Sequence, residues 1–404
     1  MKNKIMLTPT YTEGFECIGS KCEDTCCRGW HIYLDKKIYK LYNKLDVKKL
    51  NVKVDKVIKR NRKCKSDWDY GEIILDKNRR CPFLSKENLC GIYTNFGQDK
   101  MSEVCSIYPR KYNKIDHIIE KTLTLSCPEV AKRVLLNKNS MEFNEIECTE
   151  EVRNINVSIN TQISGEYLSK YFWNLRIFTI NLLQNRNYSI DDRLIILGMF
   201  YNEIQDTLDK NNFSNILTII EKYEERILSS IYKEVLTKIK GDERIKIIFL
   251  QQLIGAKINI DESSKEFIDL HNNSIKSLDY NKLNGTSNYN KCYEIYYKPF
   301  FKDREYILEN YLVNYVFANV FPLGKNKVFE DYSMLITYYS IIKIYLVGLS
   351  SYYKEDFSDQ EVVNFIQKFY RFVMHDSGYN SWILDTLKSN NINNMAHMAL
   401  FIRD

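Results

Sequence analysis

Residues 15–30 read FECIGSKCEDTCCRGW and place Cys17, Cys22, Cys26 and Cys27 within eleven positions. Thiolates are natural ligands for soft and borderline metals, and loops holding several closely spaced thiols wrap one ion or cluster. The spacing Cys17-x4-Cys22-x3-Cys26-Cys27 is too dense for a chance set of small buried residues, so it predicts a metal or iron–sulfur site around which the first third of the chain is arranged. Neighbouring side chains diverge in most backbone conformations, so one of Cys26 and Cys27 is free to pack while the other binds.

Ten of the eleven cysteines precede residue 150. A second cysteine-bearing tract, residues 79–110, is punctuated by Pro82, Gly91, Gly97 and Pro109 and reads as turns and short elements. Cys81, Cys90 and Cys105 in that tract, and Cys127 beyond it, qualify as further metal ligands. Together with the first four they would suffice for two four-ligand sites. The opening MKNKIMLTPT has no apolar stretch of signal-peptide length, which predicts a cytoplasmic protein with reduced thiols rather than disulfides. The x4 and x3 gaps suit zinc and the adjacent Cys-Cys pair does not, so Zn²⁺ and a [4Fe–4S] cluster both remain open on spacing alone. Cys22-x3-Cys26 begins the pattern of radical S-adenosylmethionine enzymes, but Gly29 stands where the third cysteine would be.

At 404 residues the chain can bury a core without staples. The net charge of +6 is uneven: residues 1–148 hold 29 Lys/Arg against 20 Asp/Glu, and the remainder holds 29 against 32. That excess is compatible with peripheral association at an anionic membrane surface; nucleic acid is not expected as a partner, because Lys-rich solvated faces are common in such a chain. No transmembrane segment is expected. The most apolar run, Met334 to Leu349, carries Lys343 in its middle and reads as a buried helix.

The predicted fold is mainly α, with a cysteine-rich mixed α/β domain over 1–149 and an all-helical domain over 150–404. In the first part His31–Asp35 and Tyr70–Asp76 read as strands, Lys36 to Arg62 as one helix or two, and Pro128 as a helix start. In the second, helices are predicted near 165–183, from Ser189 to Leu208, and over 213–240, 243–258, 304–320, 331–350 and 359–374, with a capping box at Ser358–Glu361. His271 to Asn290, rich in Asn, reads as an exposed loop. No Gly-x-Gly occurs, and Gly324-Lys325 lacks the first glycine of a phosphate loop, which disfavours an ordinary dinucleotide-type fold. The five histidines form no metal-spacing motif; His31 reads as a strand residue, and Arg110 after Tyr108-Pro109 is a candidate clamp for an anion.

The motif FxCxGxxCxDTCCxGW at Phe15–Trp30 is followed by CPFL at Cys81–Leu84, LCGIY at Leu89–Tyr93, CSIYPR at Cys105–Arg110 and LSCPEVA at Leu125–Ala131. With ENYLVNYVFANVFP at Glu309–Pro322, VFEDY at Val328–Tyr332 and FYRFVMHD at Phe369–Asp376, this set resembles the flagellin lysine-N-methylase family. The resemblance implies methyl transfer from S-adenosylmethionine to lysine ε-amines of flagellin in the cytoplasm. It also implies a [4Fe–4S] cluster on the motif matched here by Cys17, Cys22, Cys26 and Cys27. A similar cysteine arrangement occurs in a wider group of zinc- or iron-chelating proteins. The rival reading is accordingly a non-catalytic, zinc-bound protein-interaction module.

Overall fold

The computed structural model describes residues 5–45, 47–50, 52–64, 66–148, 152, 154–163, 165, 167–260, 264–279, 285–324 and 326–404. The chain is mainly α, and its contacts divide it into two compact units. One comprises Gly14–Lys111 with Cys127–Val130; the other comprises Met1–Glu13, Tyr112–Ser126 and Ala131–Asp404. The boundary expected between residues 149 and 150 lies outside the described residues.

The cysteine-bearing unit is built on a three-stranded antiparallel sheet in which Gly71–Ile73 lies between Ile32–Leu34 and Ile58–Arg60. Ile32, Leu34, Ile58 and Ile73 point to one face, as a period of two requires, and pack with Ile38, Tyr42, Val54, Phe83 and Ile92. Gly71 allows Tyr39 to lie on the middle strand, since a Cβ there would sit 2.3 Å from the ring. Residues 36–62 are not one or two long helices. They form the short helices Lys36–Tyr42, Val47–Leu50 and Val54–Val57 and then the strand Ile58–Arg60. Apolar spacing alone did not separate these, because the β-branched run Val52, Val54, Val57 and Ile58 fits a helical period while favouring extended backbone at its end.

The larger unit carries a five-stranded sheet in the order Phe143–Glu147, Ile5–Pro9, Ile118–Leu123, Arg110–Ile115 and Ser158–Ile159. Ile5–Pro9 runs antiparallel to Phe143–Glu147 and parallel to Ile118–Leu123. Asp116, with φ of 53°, makes the turn between the two central strands. Around the sheet the chain is helical. The helix Val328–Tyr353 is buried over nearly its whole length, and its apolar window, long enough to cross a membrane, lies wholly inside the protein. Lys343 in its middle is held by Asp191 and Asp404; burial opposes its charge, and the two carboxylates more than restore it.

Three expectations need correction here. His271 to Asn290 is not a loop where it is described: the helix Lys265–Leu278 buries Phe267, Leu270, Ser274 and Leu278 and leaves Asn272 exposed, and Gly285–Cys292 is helical again; 280–284 lie outside the described residues. Ser358 caps through its backbone carbonyl, which accepts from Glu361 and Val362, and not through its hydroxyl. Ser189, by contrast, does cap with its side chain, which accepts from the Asp192 N–H at 3.2 Å. The run over 213–240 breaks at Ser230, with φ of 57°, into Ile216–Leu228 and Tyr232–Leu236.

Candidate functional site

Two backbone pairings bring distant cysteines together. The loop after Cys26 pairs with the end of the 76–80 turn: Arg28 bridges Arg80, and the Cys81 N–H donates to the Cys27 carbonyl at 2.8 Å. The chain then folds back so that Leu84 bridges Cys90 and the Gly91 N–H donates to the Phe83 carbonyl at 2.7 Å. Cys90 thus precedes the helix Gly91–Phe96, and Cys105 lies in the helix Glu103–Ile107. Trp30 packs against the same core and donates its indole N–H to the Cys26 carbonyl at 2.5 Å, closing the turn from Cys26 to Trp30.

The electrostatics sort the thiols into two neighbourhoods. In the first, Cys27 hydrogen-bonds with Cys26 and Cys90, which together with burial raises its pKa and holds it as a thiol. The bond from Cys27, with backbone N–H groups of Tyr93 and Ile92, lowers Cys90 to about 6 against its burial. Burial pushes Cys81 up to about 12 and raises Cys105 as well, and each is raised further by Cys90 and Cys26. In the second neighbourhood burial raises Cys22, with Cys26, Asp24 and Cys17 adding to it, and pushes Cys127 up to about 12, with Cys22 and Cys17 adding to it. The Cys127 thiol receives N–H groups from Val130 and Glu129, in the first turn of Pro128–Leu135. Thiols that oppose one another's ionisation in this way are ones that a bound cation would relieve.

All eight expected ligands therefore fall in one unit: Cys26, Cys27, Cys81, Cys90 and Cys105 interact in one group, and Cys17, Cys22 and Cys127 in another that shares Cys26. Every cysteine is a free thiol. Among the described residues, no three His, Cys, Asp or Glu side chains stand in positions that would hold one ion as they are. The donor set nevertheless fits a sulfur-liganded metal or cluster in its chemistry, because it is thiol-only and crowded. His31 stacks on Tyr33 at 6.4 Å, and the Arg110 guanidinium lies over the Phe15 ring at 5.9 Å.

No motif in the sequence marks a residue for a small-molecule donor or a lysine. In the larger unit, however, Arg176 and Glu120 form an ion pair that is 2% and 1% exposed, and Arg176 lies over the rings of Phe172 and Phe317 at 4.3 and 5.2 Å. Beyond it, the Tyr11 hydroxyl donates to Asn314 at 2.6 Å and meets Thr122 at 2.7 Å. The available signal was polar residues, Asn310 and Asn314, in the otherwise apolar run at Asn310–Ala318.

A family model described as the FliB lysine N-methylase C-terminal domain matches residues 176–401. The chain is 27% identical over 259 residues to a protein named Lysine-N-methylase from Salmonella typhimurium, covering 63% of this chain and 61% of that one, and equally to its namesake from Salmonella choleraesuis. It is 34% identical over 149 residues to the Flagellar biosynthetic protein FliU of Salmonella muenchen, covering 36% of this chain and 85% of that one. The match thus spans 61% of the length of the two lysine-N-methylases. No solved structure matches the chain.

Proposed function

Because the chain belongs to the FliB lysine N-methylase family, we propose that it is a protein-lysine N-methyltransferase that moves a methyl group from S-adenosylmethionine to lysine ε-amines of flagellin. The observation that carries this reading is the family match over residues 176–401. The FliU relative's name supports a flagellar substrate. In the reaction the sulfonium S–CH₃ bond breaks as the N–CH₃ bond forms, the amine loses a proton, and S-adenosylhomocysteine leaves. The amine must be neutral and held at near-attack distance, which a desolvated apolar site provides.

The second part of the proposal is that the cysteine-bearing unit holds a [4Fe–4S] cluster. Its ligands come from Cys17, Cys22, Cys26 and Cys27, with Cys81, Cys90, Cys105 and Cys127 as further donors in the same unit. When bound, such a cluster supplies a one-electron centre and compensates the crowded thiolates. The free thiols suit a reducing compartment, the cytoplasm in this reading. A zinc-bound interaction module is the alternative, favoured by the division of the thiols into two neighbourhoods, each of a size that suits a four-thiolate site.

Protein prepared without oxygen is expected to form methyl-lysine on flagellin when given S-adenosylmethionine, as read by peptide mass spectrometry. Absence of methyl-lysine with cluster and donor both present would overturn the enzymatic reading.

A further inference from the structure

Buried polar groups are almost always paired, and each one left unpaired costs about 1–3 kcal/mol. Against that expectation, one region of the larger unit concentrates unpaired atoms. The Arg176 guanidinium meets Glu120 through Nη1 alone, leaving Nε and Nη2 without a partner among the described residues, and the Glu120 Oε2 has none either. Both residues are more than nine-tenths buried. The Nε–Nη2 edge of a guanidinium is the planar fork that matches a carboxylate in two parallel hydrogen bonds. An unpaired carboxylate oxygen beside it is the natural partner of an ammonium. A fork and an acceptor side by side, in an apolar wall formed by Phe172, Trp173 and Phe317, complement the head of an α-amino acid, which carries both charges on one carbon.

The unmet valences continue away from this pair. Glu120 and Thr122 lie on the same face of the strand Ile118–Leu123, both 1% exposed and about 7 Å apart along it. Thr122 meets the Tyr11 hydroxyl, which donates to Asn314 on the helix Glu305–Ala318. Asn310, Asn314 and Phe317 share one face of that helix by spacing, and Phe317 is the ring over which Arg176 lies. On this helix the Asn310 Oδ1, the Tyr311 hydroxyl and the Asn314 Nδ2 are also buried and unpaired among the described residues. An amide acceptor, an amide donor and a neutral hydroxyl suit the uncharged edge of a nucleoside.

We propose that Arg176 and Glu120 clasp the carboxylate and ammonium of the methyl donor's amino-acid end, with Asn310, Tyr311 and Asn314 facing its nucleoside. This assignment rests on the donor named above and adds the residues that read it. A free amino acid presents the same head group, and the ligand series below separates the two sources.

Equilibrium binding to the full-length protein tests the assignment without any turnover. The probes are S-adenosylhomocysteine, methylthioadenosine, decarboxylated S-adenosylmethionine and methionine. The wild type is expected to bind S-adenosylhomocysteine at least about 100-fold more tightly than the two compounds that lack the carboxylate, as a site built around that group should. Methionine is expected to bind more weakly than S-adenosylhomocysteine; equal or tighter binding would assign the head-group site to a free amino acid and overturn the nucleoside half.

Arg176→Lys keeps the positive charge toward Glu120 but loses the fork, so it is expected to bring the preference for the carboxylate below about tenfold. A variant that is merely less stable would leave that ratio unchanged. An unchanged ratio in folded Arg176→Lys, or a wild type that binds all three adenosyl compounds equally, overturns the assignment while leaving the methyltransferase reading intact. A wild type that binds none of the adenosyl compounds overturns both.

Discussion

Single residues in this chain are set by burial and by the one or two neighbours that answer it. Asp331 follows the cis-peptide turn at Phe321-Pro322 and accepts from the Gly324 N–H at 3.1 Å and from Asn326 at 2.8 Å, yet burial pushes its pKa up to about 6. A carboxyl raised on folding stabilises the native state while it is protonated in both states. Its contribution is therefore complete below the ordinary carboxylate pKa and is lost as the pH rises through about 6, a change of about 3 kcal/mol for two pKa units. Asp331→Asn is expected to remove this slope, so that its stability relative to wild type improves by about that amount between pH ~4 and pH ~7, as measured by urea unfolding. Wild-type and variant curves that stay parallel across that range would contradict it. At this scale the sequence made the thiols legible as a set but not their grouping. Cys27 meets Cys90 because two short backbone pairings, at Arg28–Arg80 and Leu84–Cys90, fold separate loops together, and no local pattern announces such pairings. Arg176 was missed for a related reason: one arginine in an apolar helical run has the same spacing whether its head is solvated or buried.

At the scale of elements, helix packing in the larger unit depends on close approach at small residues. Gly348 on the helix Val328–Tyr353 faces Ser274 on Lys265–Leu278, and a Cβ there would lie 2.1 Å from the Ser274 hydroxyl oxygen and 2.7 Å from its carbonyl. Gly348→Ala is expected to force the two helices apart at a cost of about 1–3 kcal/mol. Gly255, inside the helix Glu243–Ile260, meets nothing within 4 Å, so Gly255→Ala is expected to stabilise by about 0.5–1 kcal/mol. Thermal unfolding of the two variants checks the pair; a lower midpoint for Gly255→Ala or none for Gly348→Ala would show that the helix contacts are misread. Long helices such as Ile190–Asp209 and Val328–Tyr353 were readable in the sequence because each is an apolar-rich run too long for a strand and free of Pro. Lys265–Leu278 was not, because its polar residues outnumber the four buried positions that carry the helix.

For the molecule as a whole, two compact units divide the chemistry. One gathers nine of the eleven cysteines, and the other carries the buried Arg176–Glu120 pair and the long apolar helix. The family match covers residues 176–401, all within the second unit, while the cysteine motif stands in the first. The mainly helical fold was legible in the sequence, whereas the sheet of the larger unit was not, since it draws its strands from residues 5–9, 110–123, 143–147 and 158–159, each too short to declare a partner. We propose that the crowded thiols of the first unit hold an iron–sulfur centre. Iron and acid-labile sulfide are to be quantified in the full-length protein prepared without oxygen. About four irons and four sulfides per chain are predicted, the composition of one [4Fe–4S] cluster; a colourless protein with stoichiometric zinc and no iron would contradict it.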